Sequence, residues 1–414
     1  MPRPLSTDND ARTSFHQHRH LVLDFTLVDE HGMARNPTVD EFERLNSVLP
    51  PNLGKGVMGG FLVVYFVELP PKPWPISVAG LPLFMTTDHF ALPPSLGRPG
   101  GGGRPALGGR PRRHELEHLD ARSAVTRQLF EAVITFFESA DFPILEIGWM
   151  CGVWRATYDD GADLSNLPSM LCQTGIFYLP KGTHTLNEAA SREKIPGPLD
   201  RNDTAYSPIR PGLIVASTSL STTSGVLVED HEGAVYMTAA SHGFPYDETE
   251  VYHPNPNGQI IGHVVRRLAD TNIALVKLCD DIKFENRTFQ SDDEPDGVLL
   301  KGIRDPYERW RYDALSMENS FTGLIDAQFL GVNRIRVTTS DLTEHLWVNQ
   351  LWAWSGQDPD KYPVAESCGS AIYDQDGNIV AFFRYMMNDS GVGVGVAAQE
   401  LLHMGYSLHM GTKK

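Results

Sequence analysis

The residues best suited to chemistry lie in three segments of the C-terminal half of this 414-residue chain. His242 follows a strand-like run that ends in small residues. Asn272 stands at the mouth of an apolar strand-like run, and Asp270 lies two positions before it. Cys368 precedes the pair 369–370, a glycine and a serine, and a predicted hairpin follows. A thiol and an imidazole are side chains that nucleophilic catalysis combines, so the three segments together are a candidate catalytic site.

The order of the three segments resembles the chymotrypsin-like (trypsin-like) peptidase superfamily. In that family a histidine follows a "TAA" strand end, an acid opens an "(D)IALL(K)L" strand, and the nucleophile sits in "GDSG(G/S)". The corresponding runs here are TAASH at 238–242, NIALVKL at 272–278 and ESCGS at 366–370. The resemblance covers residues 211–410. It implies a double β-barrel that hydrolyses peptide bonds through an acyl-enzyme.

The resemblance places a cysteine, not a serine, at the nucleophile position. Without gaps, residues 369–370 fall on the family's "G(G/S)", and Cys368 then occupies the nucleophile position. This arrangement looks like the cysteine branch of the fold, such as the main proteases of positive-strand RNA viruses. A thiolate forms readily beside an imidazole, so the replacement is chemically sensible. Ser367 is the alternative nucleophile, but choosing it shifts the glycine–serine pair by one position and loses the match.

The same alignment makes His242 the general base and acid and puts Asn272 where the family has its acid. An amide can orient an imidazole by hydrogen bonding, although it supports a serine nucleophile poorly. A thiolate–imidazolium pair depends less on a buried carboxylate, so Asn272 and Cys368 are chemically consistent with each other. Asp270 is the alternative orienting residue.

The oxyanion hole implied by the resemblance uses the backbone N–H groups of Cys368 and Glu366. The family usually has glycine at the second of these positions. A carboxylate beside a developing oxyanion is unfavourable unless it points away, and a side chain restricts the backbone there. Glu366 therefore supports a second hypothesis, in which the chain is a catalytically degenerate homologue that keeps its barrels as a binding or scaffold protein.

The resemblance also implies a polypeptide substrate, bound along the strand after the hairpin. Phe383, Arg384 and Tyr385 belong to that strand, and alternate side chains point to opposite faces. If Arg384 faces the substrate, the site should favour an acidic P1 residue. If Phe383 and Tyr385 face it, P1 should be apolar. If Arg384 reaches solvent, it contributes nothing to specificity.

A competing motif, H-E-x-x-H, spans residues 114–118. His114 and His118 could hold Zn²⁺ from one helix face, with Glu115 as the base and Glu138 as a remote third ligand. The zinc-protease helix is long and mostly buried, whereas this segment follows a run of glycine, proline and arginine. We therefore expect no metal and no other cofactor.

Charge and cysteine content exclude several classes of protein. The formal net charge of −17 repels phosphate backbones and anionic lipids, so we expect neither nucleic acid nor membrane binding. The chain has four scattered cysteines, without CxxC spacing, which argues against a disulfide framework. The N-terminus lacks the apolar core of a signal peptide, and no stretch of 18 apolar residues occurs. These features predict a cytoplasmic or otherwise intracellular protein.

Composition divides the chain into an α+β N-terminal region and an all-β C-terminal domain. We expect a disordered tail over 1–18, an α+β domain over 19–180, a linker over 181–210 and the double barrel over 211–410. A loop over 97–113, rich in Gly, Pro and Arg, interrupts the N-terminal region.

Two helices are predicted in the N-terminal region. One begins after Thr38, with Glu41 at the capping-box position. The other covers 118–140, where apolar residues recur with helical periodicity.

Overall fold

The structure is a computed structural model of the whole chain. It describes residues 15–30, 32–91, 93, 116, 118–122, 124–140, 142–159, 163–164, 167–181, 204–289, 296–309, 312–338, 345–357, 363–386 and 391–410. The predicted loop 97–113 lies outside these ranges, as do residues 182–203 of the predicted linker. Residues 15–18 of the predicted tail are described, and Phe15 among them is fully buried in a hydrophobic cluster. Most of the described secondary structure is β.

The N-terminal part begins with a small sheet and one helix. Its elements are β1 (His20–Leu21), α1 (Val39–Val48), β2 (Gly54–Met58), β3 (Phe61–Tyr65), β4 (Ser77–Val78) and β5 (Leu81–Thr86), with sheet order β1-β4-β5-β3-β2. The predicted capping box is confirmed: the Thr38 hydroxyl accepts from the Glu41 N–H, and the Glu41 carboxylate accepts from the Thr38 N–H. The sheet buries β3 almost completely, since this strand is apolar on both faces.

A second helix and four strands follow. They are α2 (Arg127–Ser139), β6 (Ile144–Met150), β7 (Val153–Tyr158), β8 (Met170–Leu171) and β9 (Thr174–Pro180). The helix is shorter than the periodicity predicts. It starts at Arg127 because the Thr126 side chain caps it, accepting a hydrogen bond from the Leu129 N–H.

The first half of the C-terminal part is a closed ring of six antiparallel strands. They are β10 (Ile214–Ala216), β11 (Ser221–Glu229), β12 (Val235–Ala240), β13 (Glu250–His253), β14 (Gln259–Leu268) and β15 (Ile273–Leu278). The ring runs β10-β13-β14-β15-β12-β11 and closes when β11 pairs with β10. Its interior is apolar, as the predicted β-barrel requires.

A second ring of six antiparallel strands follows. The remaining elements are β16 (Gly302–Ile303), β17 (Ala314–Asn319), β18 (Gly323–Thr338), β19 (His345–Trp354), β20 (Ala371–Asp374), β21 (Asn378–Met386), β22 (Val392–Ala397), α3 (Gln399–His403) and β23 (Ser407–Leu408). The order is β17-β20-β21-β22-β19-β18, and β18 closes the ring on β17. The short β23 returns to β11 of the first ring.

Strand β18 also joins the second ring to the N-terminal part. It pairs with β6 from Gly331↔Met150 to Ile335↔Glu146, so β6, β7, β9 and β8 extend the same sheet. A single hydrophobic cluster includes residues of α2, β6 and the second ring. The backbones come close at Gly331, where an added Cβ would lie 2.0 Å from the Trp149 carbonyl oxygen.

Replacing Gly331 by alanine should therefore destabilise the fold. The methyl group must push two paired strands apart, which typically costs about 1–3 kcal/mol of unfolding free energy. Gly175 is the matched control, since it also lies in a strand and an added Cβ there meets nothing within 4 Å. Urea unfolding of G331A and G175A checks this. Equal stability of the two variants would contradict the tight approach of β6 and β18.

Candidate active site

His242 projects from the end of β12. This strand ends at Ala240, and residues Ser241–Gly243 form one turn of 3-10 helix that leaves the His242 side chain exposed. The turn packs tightly on β11: a Cβ added to Gly243 would lie 2.6 Å from Cγ2 of Thr222. A glycine is therefore required directly after the histidine.

Asn272 holds the imidazole of His242. The Asn272 Oδ1 atom accepts the His242 backbone N–H (3.2 Å) and lies 2.9 Å from Nδ1 of the ring. Because a backbone N–H can only donate, Oδ1 is the acceptor, and Nδ1 must carry the proton to bond to it. The other ring nitrogen, Nε2, is then unprotonated in the neutral imidazole and can act as a base. Asn272 has a φ of +59°, which asparagine tolerates better than most residues.

Asp270, the alternative orienting residue, lies on the same turn as Asn272, but Asn272 is the residue whose side chain bonds to His242. Asp270 is exposed and also has a positive φ, 64°. Between the two, Thr271 is completely buried, and its hydroxyl donates to the Leu268 carbonyl. The turn thus brings the amide of Asn272, the residue that opens β15, to the histidine.

Cys368 sits in a loop that enters β20. The preceding residues Ala365–Ser367 form one turn of 3-10 helix, in which the Ser367 N–H donates to the Val364 carbonyl (2.9 Å). Gly369 follows with a φ of +92°, in the region that favours glycine. An added Cβ there would lie 2.8 Å from the Ala240 nitrogen, so the cysteine loop rests against the strand end that carries His242.

The Cys368 thiol donates its hydrogen bond to a carbonyl oxygen. Its Sγ lies 2.7 Å from the Arg384 carbonyl, and the residue is only 4% exposed. Burial raises the pKa of the Cys368 thiol to about 12; the guanidinium of Arg384 opposes this rise and the carboxylate of Glu366 adds to it. At neutral pH the thiol is therefore protonated in this structure and donates to the Arg384 carbonyl on β21.

Arg384 occupies a bulge in β21. The pairing with β22 shifts register between Phe383 and Tyr385, which leaves Arg384 out of the ladder. On the other side of β21, in the part of the chain that the structure describes, pairing ends at Phe383, whose carbonyl accepts from Gly369 and whose N–H donates to Ser370.

The three predicted substrate-binding side chains differ in position. Arg384 is half-buried and lines a small pocket between the two rings, together with Phe383, Gly369 and Asn272. Tyr385 is buried in a different hydrophobic cluster, and its hydroxyl lies 3.4 Å from Oε1 of Gln350. Of the three, Arg384 and Phe383 thus lie beside the candidate site.

Glu366 lies within the 3-10 turn and is half-buried. The turn's i→i+3 bonding directs N–H groups back toward its own carbonyls. The two N–H groups implied for the oxyanion hole, those of Glu366 and Cys368, belong to this turn and to the residue directly after it.

Thr222 and Thr223 are the site residues that the sequence analysis missed. Both are fully buried on β11, and both hydroxyls donate to the Cys368 carbonyl, at 2.6 and 2.9 Å. The run Ser221-Thr-Thr-Ser at the start of a strand was the available signal. Buried hydroxyls require partners, so such a run predicts a polar contact inside the fold.

The competing zinc motif lies partly outside the described residues, which include His118 but not His114 or Glu115. Glu138 lies near Arg336 and Trp347 at a second small pocket. Within the described ranges, no three His, Cys, Asp or Glu side chains are grouped to hold a metal ion. No helix in those ranges has the length and hydrophobicity to cross a membrane.

Comparisons with known proteins give structural neighbours only. No protein-family model matches the chain, and no curated protein matches it. Similar solved structures include a glutamic-acid-specific serine protease with a histidine triad in substrate binding (13% identity, 49% of this chain, 100% of that chain, TM-score 0.36). They also include Thermobifida fusca protease A (11% identity, 49% of this chain, 99% of that chain, TM-score 0.36). A third is Cellulomonas bogoriensis chymotrypsin (12% identity, 50% of this chain, 100% of that chain, TM-score 0.36).

The resting thiol should react slowly with small electrophiles. Because burial raises the pKa of Cys368 to about 12, iodoacetamide alkylation should be slow at pH 7–8 and should accelerate as pH rises toward 12. Cys279 is the internal comparison, since it is the least buried of the four cysteines. Mass spectrometry of the alkylated peptides measures both rates. Rapid labelling of Cys368 with a plateau below pH 7 would contradict the buried, protonated thiol.

Proposed function

We propose that this protein is a peptidase that hydrolyses peptide bonds through a thioester on Cys368. In this proposal His242 is the general base and acid, and Asn272 orients its ring. The observation that carries the proposal is the hydrogen bond from the Nδ1 side of His242 to Asn272, directly after the strand end, at Ala240, that packs against the cysteine loop. With the proton on Nδ1, Nε2 is unprotonated in the neutral imidazole and can accept the thiol proton.

The chemical steps follow from these roles. The Cys368 thiol gives its proton to Nε2 of His242, and the thiolate attacks the peptide carbonyl. The tetrahedral oxyanion collapses, the C–N bond breaks, and the imidazolium protonates the leaving amine. Water then loses a proton to the same nitrogen and attacks the thioester, which releases the carboxylic acid and restores the thiol.

Two local changes must accompany peptide binding. The thiol must leave the Arg384 carbonyl, which it can do by rotation about its Cα–Cβ bond. An extended peptide that lies along β21 beyond Phe383 supplies a backbone N–H to that carbonyl in its place. The 3-10 turn at 365–367 must also open, so that the N–H groups of Glu366 and Cys368 converge on the oxyanion. In this proposal the peptide therefore assembles the site that cleaves it.

Peptidyl chloromethyl ketones with varied P1 residues test this function. They occupy the peptide edge and alkylate the nucleophile, so they should label Cys368 at least about tenfold faster than iodoacetamide does at the same concentration. H242A should abolish this advantage, and N272A should reduce it. C368A should lose turnover of a casein substrate completely, and C368S should lose most of it, because an amide supports a serine nucleophile poorly. Full turnover by C368A would refute the assignment.

The second candidate function is non-catalytic binding, which the buried, carbonyl-bonded thiol favours. In that case Cys368 is a small buried side chain that holds β21 in place. Peptidyl and simple electrophiles should then label it equally slowly, and H242A should change neither rate. The same labelling series therefore decides between the two functions.

Arg384 should set the P1 preference of the peptidase. Its half-buried guanidinium lines the pocket beside Gly369, where a carboxylate would find a charge-assisted partner. We expect Glu at P1 to be cleaved at least about tenfold faster than Leu, a difference of roughly 1.4 kcal/mol in transition-state binding. R384A should remove the preference, and R384K should keep part of it. A peptide library varied at P1 measures this, and a preference for Leu unchanged in R384A would exclude Arg384 from the pocket.

A further inference from the structure

We infer that Thr222 is a positioning residue that sets the distance between the nucleophile and its base, an inference that rests on the proposed peptidase function. Thr222 lies on β11 of the first ring and is completely buried. It touches the backbone on both sides of the reaction: the loop of Cys368 and the turn of His242.

The hydroxyl of Thr222 holds the cysteine side. Its Oγ1 donates to the Cys368 carbonyl at 2.6 Å. The Cys368 carbonyl oxygen also accepts the Thr223 N–H at 3.2 Å and the Thr223 hydroxyl at 2.9 Å. Three donors thus converge on one carbonyl oxygen, which is more than a carbonyl in a strand ladder receives. The peptide plane after Cys368 is fixed to β11.

The methyl group of Thr222 holds the histidine side. A Cβ placed on Gly243 would lie 2.6 Å from Cγ2 of Thr222, so the methyl group fills the space directly beside the residue after His242. The turn that carries His242 cannot move toward β11, because the methyl group already occupies that space. One side chain therefore contacts both partners of the proposed proton transfer.

The roles of the two threonines can be separated. The Thr223 hydroxyl also lies 2.9 Å from the Ser370 hydroxyl, so it secures the part of the loop that leads into β20. The methyl group that lies against the histidine turn belongs to Thr222. Proton transfer requires the donor and acceptor atoms to approach within hydrogen-bond reach, and small displacements reduce its rate steeply. Thr222 should thus affect the chemical step more than peptide binding.

A pair of near-isosteric variants tests this inference. T222V keeps the methyl group and loses the hydroxyl, and T222S keeps the hydroxyl and loses the methyl group. The readout is the labelling of Cys368 in the full chain by a peptidyl chloromethyl ketone, measured as a function of concentration to separate the maximal rate from half-saturation. T86V is the matched control, since Thr86 is a buried strand residue whose hydroxyl bonds to the Asp88 backbone in the N-terminal sheet.

We expect T222V to lower the maximal labelling rate about 10- to 100-fold with half-saturation changed less than about twofold. T222S, which loses the methyl group beside Gly243, should lower that rate by a smaller factor, about 3- to 10-fold, and T86V should equal wild type. Thermal unfolding of each variant verifies that it is folded at the assay temperature. If T222V is not folded there, the labelling is repeated at a lower temperature at which it is folded. A maximal rate that is then the same in T222S and T222V would overturn the role of the hydroxyl.

The outcomes are distinct. If H242A labels as fast as wild type, the proposed function fails and this inference falls with it. If H242A labels slowly while T222V equals wild type, the function stands and Thr222 is merely structural. A T222V effect on half-saturation alone would also overturn the positioning role.

Discussion

The carbonyl oxygen of Cys368 is the point on which the geometry of the site depends. It belongs to the second ring but accepts its hydrogen bonds from Thr222 and Thr223 of the first. The ring that supplies these donors also supplies His242 and Asn272. These hydrogen bonds thereby fix the position of the cysteine loop relative to the strands that carry the imidazole. Without that contact, the loop of Cys368 would lose three of the hydrogen bonds that join it to the ring bearing the base.

Close backbone approach makes this contact achievable. Gly225 of β11 is near the Gly369 carbonyl, and an added Cβ would lie 3.2 Å from that oxygen and 2.1 Å from the Thr238 hydroxyl. The local sequence thus combines small residues, which permit approach, with threonines, which satisfy the polar groups that approach buries. Neither feature alone would seat a loop of one ring on a strand of the other.

The charge beside the pocket is opposite in sign to the net charge of the chain. The chain carries a net charge of −17, yet Arg384 places a cation beside the pocket, and Glu366 places an anion in the turn before the thiol. These two charges shift the pKa of Cys368 in opposite directions, and burial outweighs both. Reactivity therefore depends on whether the thiol remains buried against β21, more than on either charge.

Local sequence patterns predicted some features and could not predict others. The capping box at Thr38 is confirmed because it depends on side chains three residues apart. The apolar residues before His242 and after Asn272 were enough to predict a strand in each place, and the structure has strands there, Val235–Ala240 and Ile273–Leu278. The thiol's bond to Arg384 and the threonine contacts join residues 16 to 146 positions apart, and alternation of apolar residues carries no information about them. The bulge that leaves Arg384 out of the ladder with β22 is equally invisible, since it depends on the register of that strand.

The pairing of β6 with β18 has a consequence for how the chain acquires its structure. These strands lie about 180 residues apart in sequence, and together they extend the second ring into the N-terminal part. During synthesis β6 emerges long before its partner, so an apolar strand with an unpaired edge must wait. Contacts of such long sequence separation also slow the search for the native topology. The N-terminal part is therefore expected to complete its sheet only after β18 of the second ring has been made, which links its folding to that of the ring bearing Cys368.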